Sequence, residues 1–541
     1  MTAVKPTSEL DTHTVLNQPP PFENFNAFLG DRALKTAVTQ AGGAGHAAAL
    51  EKFGARVGSA ETLAAGALAN RSAPVLETHD RFGRRIDEVE FHPSYHSLMR
   101  LGIEAGVASL PWSGASNGHV AHAALVYMLQ HVDSGTTCPM TMTYASAPAL
   151  RAEAVVGAEW LPRLLTAKYD AASRPAGEKT GVTIGMAMTE KQGGSDVRAN
   201  TTRAEPAGGG EGWFALTGHK WFCSAPMSDA FLTLAYAQEG LTCFLLPRWL
   251  PDGARNAGFR LMRLKDKLGD RSNASSEVEY QGALAQRVGP PGRGVATIIQ
   301  MVQHTRLDCV LGSAGVMRAA LAQALWHAAH RSAFQRRLID QPAMAAVLAD
   351  LCVEAEAVTA LAFRLAQAFD ADEPLARLLT PIAKFWVCKR AAGFVYEALE
   401  CLGGAGYVES GPMPRLFRQA PLNAIWEGSG NVIALDVLRA LAREPEGAAA
   451  LRALLAAARG RVPAYDTWIA ALELAPAVEA AARHSVERLA IAAAAAVLIA
   501  QDNPMAEAFC ALRMQHPAQT YGASAAALDT RAILERGQPE A

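Results

Sequence analysis

The chain has 541 residues, of which half are hydrophobic and 19% are charged, and its formal net charge is −2. This length and composition suit a compact protein of three or four domains that share large apolar cores. The balanced charge gives no indication of a strongly basic or acidic partner. The N-terminal residues show no basic region followed by an apolar core, and a run of three prolines would interrupt the helix of a signal peptide. We therefore expect a protein that is not secreted.

Eight cysteines are scattered along the chain without the Cys-x-x-Cys spacing of a metal site. We interpret them as reduced thiols of a cytoplasmic protein and expect no bound metal. The longest apolar run, residues 489–500, is shorter than the roughly 20 residues that a membrane span needs. It predicts a buried alanine-rich helix and no association with a membrane.

Sequence periodicity along the chain predicts a mainly α-helical protein with a central β-barrel domain. Residues 1–40 are a proline-containing arm, and residues 41–180 carry the helical periodicity of a first helical domain. In residues 181–288 short β-prone runs alternate with Gly, Pro and Asp turns, which fits a small barrel or sandwich. Long amphipathic stretches in residues 289–443 predict a bundle of four or five helices.

The bundle is followed by a second break and by more helical sequence. Residues 444–447, Glu-Pro-Glu-Gly, interrupt the periodic pattern and predict a linker. Residues 448–541 are rich in alanine and predict an additional helical domain.

The segment Ile-Trp-Glu-Gly-Ser-Gly-Asn at 425–431 places one carboxylate, that of Glu427, beside an indole and two glycines. Apolar neighbours raise the pKa of a carboxylate and so favour a general base, and glycines let the backbone approach a flat ligand. By itself, however, such a segment is more often a solvated turn or a helix start.

Three further blocks are equally ambiguous when each is taken alone. A glycine-bearing loop follows an apolar strand end at 186–196, and an aromatic strand runs through 218–224. A glycine pair follows a helical pattern at 401–407. Their ordinary interpretations are a turn or helix cap, a core strand and a helix C-cap.

In this order and at these spacings, the four blocks resemble the acyl-CoA dehydrogenase family of flavoproteins over about residues 102–443. The blocks at 188–196, 265–275 and 426–431, together with residues 13–19 and 92–96, resemble its AidB-type branch. The resemblance implies an acyl-CoA dehydrogenase-like fold, with FAD between the barrel and the second helical bundle. It also implies an acyl-CoA thioester substrate and a homotetramer.

The same resemblance assigns roles to individual residues. Glu427 would remove the proton α to the thioester carbonyl while hydride leaves the β carbon for the flavin, and Ser195 and Arg306 would contact the substrate. Arg331 would reach the cofactor of a neighbouring subunit, although a surface helix arginine would look the same. The implied cofactor contacts are Met186, Met188, Thr189, Gly194, Ser195, Trp221, Phe222, Cys223, Ser224, Arg331, Gly403, Gly404, Ile425, Trp426, Gly428, Ser429, Gly430 and Asn431.

Some positions depart from the pattern of the family. Cys223 stands where a typical member offers a threonine hydroxyl near the flavin, and Ser224 is the alternative source of that hydroxyl. Gln303 replaces the usual aspartate ahead of Arg306, which weakens the expected grip on CoA. Arg306 is equally compatible with a helix arginine paired to Asp308 or its neighbours.

The AidB-type branch is associated with the bacterial response to alkylating agents, and its C-terminal extension with double-stranded DNA. The first hypothesis is therefore a dehydrogenase of this response with weak turnover. The second is a flavin-stabilised DNA-binding protein that protects DNA or inactivates alkylating agents and whose dehydrogenase machinery is vestigial or redirected. Residues 451–541 contain eight arginines, no lysine and nine acidic residues, so the extension is not basic in bulk. Five arginines have two interpretations, a local basic stripe that contacts DNA or an ordinary charged face exposed to solvent. They are Arg439, Arg443, Arg452, Arg459 and Arg461.

A third hypothesis is a nitroalkane oxidase, which shares the fold and the flavin. Such an enzyme typically uses an aspartate as its base, and Glu427 argues against it.

Overall fold

A computed structural model describes residues 6–208, 212–474, 478–525 and 528–540. The described chain is mainly helical around a central β-barrel, as the sequence predicts. A helical domain, the barrel, a helical bundle and a helical extension follow one another along the chain.

The N-terminal domain consists of helices that pack through alanine-rich and aromatic faces. They are α1 (Arg32–Gln40), α2 (Ala47–Val57), α3 (Ala60–Arg71), α4 (Pro93–Glu104), α5 (Gly118–Leu129), α6 (Thr137–Arg151) and α7 (Ala154–Leu164). Every residue of α5 is buried, which explains why its sequence is apolar on all faces. The described part of the N-terminal arm, residues 6–31, precedes α1 and contains no helix.

A β-hairpin that the sequence did not predict interrupts this domain. Its antiparallel strands are β1 (Val75–His79) and β2 (Arg85–Glu90). The turn between them is closed by Asp80, whose side chain accepts hydrogen bonds from the backbone amides of Phe82 and Arg84, each at 2.9 Å. Gly83 supplies the left-handed backbone of this turn, with φ of 80°.

The barrel is built from β3 (Ile184–Ala187), β4 (Arg203–Pro206), β5 (Trp213–Ser224), β6 (Ala230–Ala237), β7 (Gly240–Pro247), β8 (Phe259–Leu264) and β9 (Ser275–Val288). Five of these strands close on themselves in the order β6-β4-β5-β9-β7, and β7 returns to β6. β3 pairs in parallel with β6, and β8 pairs with β9. Alternate side chains such as Leu216, Phe231, Phe244 and Tyr280 fill the interior.

The bundle contains three long helices, of 37, 29 and 26 residues, and several shorter elements. Its elements are α8 (Gly294–His330), β10 (Ser332–Ala333), β11 (Arg336–Arg337), α9 (Pro342–Asp370), α10 (Leu375–Glu400), α11 (Gly404–Tyr407), α12 (Met413–Gln419) and α13 (Gly430–Arg443). By length and composition α8 could cross a membrane, but 89% of its apolar window is buried in the protein. It is the central helix of the core and packs against α6, α9 and α10.

The extension comprises α14 (Pro445–Ala456), α15 (Pro463–Ala470), α16 (Ala482–Ala500), α17 (Ala506–Cys510) and α18 (Thr530–Gly537). The predicted linker at 444–447 is wrong, because α14 starts directly after Glu444. A proline at the first position of a helix loses no hydrogen bond, so the Glu-Pro pair starts a helix here. The predicted buried helix at 489–500 is confirmed as the second half of α16.

The extension is joined to the bundle by buried ion pairs as well as apolar contacts. Glu354 of α9 is fully buried and binds Arg390 of α10 at 2.7 Å and Arg513 of the extension at 2.6 Å. Tyr521 donates its hydroxyl to the same carboxylate at 2.8 Å. Burial alone would raise the pKa of Glu354, but the two guanidinium groups bring it down to about 2.

Candidate active site

Glu427 lies between α12 and α13 in a left-handed backbone conformation, with φ of 58°, and Gly428 follows with φ of 108°. This conformation is costly for a residue with a Cβ, so it needs support from its surroundings. Lys384 of α10 donates to the carbonyl of Trp426 at 2.8 Å and also to that of Gly428. Nε of Arg306, on α8, donates to the carbonyl of Glu427 at 3.0 Å. Two helices therefore fix the turn that carries the carboxylate.

The carboxylate of Glu427 is surrounded by protein, although the residue as a whole keeps some contact with solvent. Thr305 of α8 donates its hydroxyl to Oε2 at 2.7 Å. Burial raises the pKa of Glu427 above its ordinary value, while the Thr305 hydrogen bond and the charges of Arg306 and Lys384 oppose the rise. A carboxylate with a raised pKa is suited to proton abstraction near neutral pH.

Three parts of the fold meet at the thiol of Cys138, on α6. This thiol lies close to the hydroxyl of Ser224, at the end of β5, and to Glu427. Burial raises the pKa of Cys138 to about 12, so the thiol stays protonated near neutral pH. The helical domain, the barrel and the bundle thus enclose one site.

The two barrel segments predicted to hold the flavin are locked side by side. The amide of Trp221 donates to the carbonyl of Thr189 at 2.8 Å. Directly next to these residues, Glu190 and Lys220 form a fully buried ion pair at 2.8 Å. Burial alone would raise the pKa of Glu190, but Lys220 and nearby hydrogen bonds hold it at about 2.

The barrel surface and the segment before Glu427 offer groups that fit a flat, partly polar cofactor. Phe222 and Ile425 leave 50% and 62% of their area exposed, which is unusual for large apolar residues. Within the described residues, the hydroxyls of Thr189 and Ser195 make no hydrogen bond. A Cβ added to Gly194 would meet only the side chain of Thr189, at 3.3 Å, so the backbone there is open to a ligand.

Comparison with known proteins agrees with this architecture. Residues 17–171 match the model of the adaptive response protein AidB N-terminal domain. Residues 185–283 and 292–442 match the middle and C-terminal domains of acyl-CoA dehydrogenase. The chain is 45% identical to AidB of Escherichia coli (strain K12) over 510 residues, which cover 92% of this chain and 94% of that protein.

The chain belongs to the acyl-CoA dehydrogenase family. It is also 32% identical to acyl-CoA dehydrogenase family member 11 of Caenorhabditis elegans, over 76% of this chain and 69% of that protein. The crystal structure of Caenorhabditis elegans ACDH-11 in complex with C11-CoA superposes with a TM-score of 0.84 and 26% identity, covering 96% of each chain. The members of this family are FAD-dependent oxidoreductases.

The prediction that the side chain of Cys223 contacts the flavin is wrong. Its side chain is fully buried in the barrel core, where burial raises the pKa of the thiol to about 12. Successive residues of a strand face opposite sides, so Ser224 lies on the other face. There its hydroxyl lies 3.1 Å from that of Ser275 and close to Cys138. Ser224 is therefore the hydroxyl that this chain offers at the site.

Arg306 is buried and its guanidinium is engaged by the protein. Besides the carbonyl of Glu427, it binds Asp436 of α13 at 2.8 Å. The alternative pairing with Asp308 is wrong, because Asp308 binds His122 at 2.7 Å. Arg306 thus positions the glutamate turn, and its contact with substrate, like that of exposed Ser195, stays a prediction.

Three residues that the family pattern assigns to the cofactor lie far from Glu427 in the same chain. Helix α10 continues for 16 residues after Lys384, which is about 24 Å along the helix at 1.5 Å per residue. Its end is followed by Gly403 and Gly404. Arg331 ends α8 about 38 Å from Thr305 by the same measure, and it donates to the carbonyl of Asn17 at 2.8 Å. A single chain does not bring these residues to the carboxylate.

The remaining predicted contacts line the two sides of the site. Met186 and Met188 are half-buried around the end of β3. Ser429, Gly430 and Asn431 start α13, and Oδ1 of Asn431 accepts a hydrogen bond from Arg483 of the extension at 2.9 Å. The extension therefore touches the segment that follows the glutamate.

Thr305, Lys384 and Cys138 are not among the site residues predicted from the sequence. Lys384 does carry a signal, because a lone lysine in the apolar run Ile-Ala-Lys-Phe-Trp needs a buried partner. Thr305 and Cys138 carry none, since a threonine or a cysteine within an apolar helix is compatible with simple packing. Only the tertiary fold brings them to Glu427.

Proposed function

We propose that this protein oxidises the α,β bond of an acyl-CoA thioester, with Glu427 as the base that removes the α proton. The observation that carries the proposal is a protein-enclosed carboxylate with a raised pKa at the junction of three domains. Bound FAD supplies the acceptor for the hydride that leaves the β carbon. A thioester substrate is supported by the C11-CoA complex of the Caenorhabditis elegans relative.

Each part of the chain has a distinct task in this reaction. Thr305 orients the carboxylate of Glu427, and Arg306 and Lys384 hold its backbone. Phe222 and Ser224, on the exposed face of β5, would hold the flavin ring. Burial leaves the charge of the Glu427 carboxylate poorly solvated, which raises its affinity for a proton and makes abstraction of a weakly acidic proton easier.

We also propose a homotetramer in which neighbouring subunits complete each cofactor site. Phe334 and Tyr407 are 96% and 82% exposed, so two large aromatic side chains stand free for contact with another subunit. Phe334 lies three residues after Arg331, and Tyr407 lies three residues after Gly404, close to the residues that stand far from Glu427 within one chain. A second copy covering these aromatics would bring the distant residues to its own cofactor.

The first test is reduction of the flavin in the absence of oxygen. A panel of straight and branched acyl-CoA thioesters is mixed with the purified protein, and loss of the oxidised-flavin absorbance is followed. We expect one class of thioester to bleach the flavin. Glu427→Gln should keep the flavin but slow bleaching by about 10²- to 10⁴-fold, because an amide cannot accept the proton.

The matched control is Glu446→Gln, an exposed glutamate at the start of α14, which should bleach at the wild-type rate. Wild-type bleaching in Glu427→Gln would refute the assignment of the base. A bound flavin that no thioester bleaches would refute the dehydrogenase proposal itself.

A second candidate function is association with double-stranded DNA in a cytoplasmic response to alkylation damage. Arg443, Arg452 and Arg459 are exposed and make no ion pair with any described residue, while Arg439 only approaches Asp436 at 3.8 Å. Arg461 is less available, because it pairs with Asp502. The four available arginines lie on consecutive helices, α13 and α14, and on the turn after them.

Replacing these four arginines by alanine tests this candidate. Non-specific binding releases about one counterion for each neutralised phosphate, so the slope of log K against log salt should become shallower by up to about 4. Fluorescence anisotropy of a labelled duplex at several salt concentrations measures the slope. An unchanged slope would exclude these residues from DNA binding.

A further inference from the structure

A lysine of the loop between β8 and β9 is connected by two hydrogen bonds to the hydroxyl of Ser224. Lys267 lies in this loop, residues 265–274, and its Nζ donates to Oγ of Ser275 at 3.1 Å. Oγ of Ser275 in turn lies 3.1 Å from Oγ of Ser224. The three side chains therefore form a relay from Lys267 through Ser275 to Ser224, the hydroxyl that this chain offers at the site.

The pairing of β5 with β9 places the two serines of the relay on the same face of the sheet. Ser224 and Ser275 are directly opposite each other in this antiparallel pair, and so are Cys223 and Ser276. Opposite residues share a face, and successive residues along a strand alternate between faces. Ser276 accordingly lies on the interior side with Cys223, where it donates its hydroxyl to the Cys223 carbonyl at 2.9 Å. Ser275 and Ser224 lie on the side of the site.

The types of atom in the relay determine the direction of its hydrogen bonds. An ammonium group has donors only, so the oxygen of Ser275 accepts from Lys267. The hydroxyl hydrogen of Ser275 is then free to donate to Ser224, the other partner that the described residues place within its reach. Because its oxygen accepts from Ser275, Ser224 directs its own hydrogen elsewhere. Within the described residues only the thiol of Cys138, a weak acceptor, is close to this hydrogen, so a bound flavin can receive it.

The ammonium group of Lys267 is held by neutral oxygens beside a carboxyl group. Its Nζ also donates to the carbonyl of Asn273 at 2.7 Å. Burial lowers the pKa of Lys267, whereas the neighbouring Asp270 opposes that fall and favours the charged form. Burial likewise raises the pKa of Asp270 to about 7, and among the described residues its carboxyl group makes no hydrogen bond to Lys267. The donors of the cation are therefore directed to the relay and to the loop backbone.

The loop that carries Lys267 is fixed next to the proposed base. Oγ of Ser272 donates at 2.7 Å to Asp133, in the turn between α5 and α6, so the helical domain anchors the loop. The charges of Lys267 and Glu427 act on the same thiol, that of Cys138, and they move its pKa in opposite directions. The cation, the carboxylate and the Ser224 hydroxyl therefore meet around one side chain.

We propose that Lys267 is a positioning residue of the flavin site, which acts through Ser275 to direct and polarise the hydroxyl of Ser224 towards bound FAD. The inference rests on the flavin site of the proposed function, but not on turnover of a thioester. Electrons added to a flavin increase its negative charge, so a donor polarised by a cation favours the reduced form. Lys267 thereby raises the reduction potential of the flavin.

The test is a potentiometric titration of the full-length, flavin-bound protein with dithionite, which needs no thioester. Lys267→Met should lower the equilibrium constant of two-electron reduction about tenfold, as for the loss of one charge-assisted hydrogen bond, which shifts the potential by about 30 mV to more negative values. Ser275→Ala keeps the charge but breaks the relay, and it should shift the potential in the same direction. The matched control is Ser276→Ala, which removes a hydroxyl from the adjacent residue on the opposite face and should leave the potential unchanged.

The relay also predicts that its members are coupled. In a Ser224→Ala background, Lys267→Met should shift the potential less than it does in the wild type, because the end of the relay is missing. A shift in Lys267→Met that Ser275→Ala does not reproduce would show that the charge acts directly through space, and it would overturn the relay. Equal shifts in Ser275→Ala and Ser276→Ala would overturn it as well.

Two further results remain decisive. If Lys267→Met fails to fold or to keep its flavin, the comparison of Ser275→Ala with Ser276→Ala decides alone, and an unchanged potential in Ser275→Ala refutes the relay. The expected shifts in a protein whose flavin no thioester bleaches would support the role of Lys267 while the dehydrogenase proposal failed.

Discussion

Glu427 is held between two opposing influences on its proton affinity. Burial raises the pKa of its carboxyl group, and the hydrogen bond from Thr305 lowers it by stabilising the charged form. The balance matters for the proposed reaction because only the ionised carboxylate accepts the α proton. The Thr305 hydroxyl, together with the charges of Arg306 and Lys384, therefore helps to set the pH range in which the base can work.

Thr305→Val should move this range upward. Loss of the hydroxyl removes a contact that favours the carboxylate, so the pKa of Glu427 rises further and a larger part of the population is protonated at a given pH. The rate of anaerobic flavin reduction rises with pH through this pKa, and in the variant the rise should occur at higher pH. Thr305→Ser keeps the hydroxyl and should retain the wild-type profile. Identical profiles for the valine and serine variants would show that Thr305 does not tune the base.

Some of these residues can be predicted from the sequence and others cannot, for a physical reason. Glu427 stands in a segment whose order of residue types is informative by itself. Lys384 and Thr305 lie 43 and 122 residues before it, and they reach the glutamate turn only because α8 and α10 pack beside it. Contacts at such separations depend on the packing of whole helices, which a local pattern does not record.

At the scale of elements, strand β5 shows that a shift of one residue along a strand changes which side chain faces the flavin site. The family pattern pointed to Cys223, but a bulge between Lys220 and Cys223 and the alternation of the strand turn its sulfur into the barrel. Side-chain direction along a strand follows from its pairing, which the sequence does not give. Ser224, one residue later, faces the site.

The two residues should consequently respond differently to substitution. Cys223→Val replaces one small apolar group by another in the core and should leave the flavin spectrum and reduction potential unchanged. Ser224→Ala removes a hydroxyl from the site and should shift the reduction potential. Potentiometric titration of both variants measures the difference. A shifted potential in Cys223→Val with an unchanged one in Ser224→Ala would reverse the assignment.

Long helices were the most predictable elements, and short ones the least. Within the predicted bundle, the amphipathic stretch 342–369 coincides with α9, since an apolar stripe repeated over many turns is a strong signal. The stretch 314–334 falls on the second half of α8, which starts twenty residues earlier, at Gly294, and ends at His330. The hairpin β1–β2 was missed because each strand has only five or six residues. Glu444 and Pro445 were misinterpreted as a linker because a proline signals both a break and a helix start.

At the scale of the whole molecule, the extension is part of the common core rather than a separate module. Three buried carboxylates of α9, those of Asp350, Glu354 and Glu356, find their guanidinium partners largely in the extension. Arg513 and Arg536 provide them. Leaving a buried charge without its partner costs several kcal/mol, so α9 depends on the extension.

Glu354→Gln tests this dependence directly. The substitution leaves Arg390 and Arg513 without their shared anion, and we expect the free energy of unfolding to fall by about 3 kcal/mol or more. The pKa of Glu354 is depressed from 4.5 to about 2 in the folded protein, so its stabilising contribution is complete above pH 4.5 and disappears as the pH falls towards 2. Denaturant unfolding at pH 7 and pH 3 should therefore show a larger difference between wild type and variant at pH 7. An equal difference at both values would contradict the role of the ionised carboxylate.

Removal of residues 445–541 is the more severe test. It would expose the faces of α9, α10 and α13 on which α16 packs, and it would leave Asp350, Glu354 and Glu356 buried or partly buried with fewer cations. We expect the shortened chain to be insoluble, or to lose its flavin and its cooperative thermal transition. The matched control replaces only Arg443, Arg452 and Arg459 by alanine, because these exposed side chains make no ion pair with any described residue, and it should melt at the wild-type temperature. A soluble shortened chain that kept its flavin and melted like the full protein would show that the extension is an independent module after all, and would leave DNA association as a function that could be transferred with it.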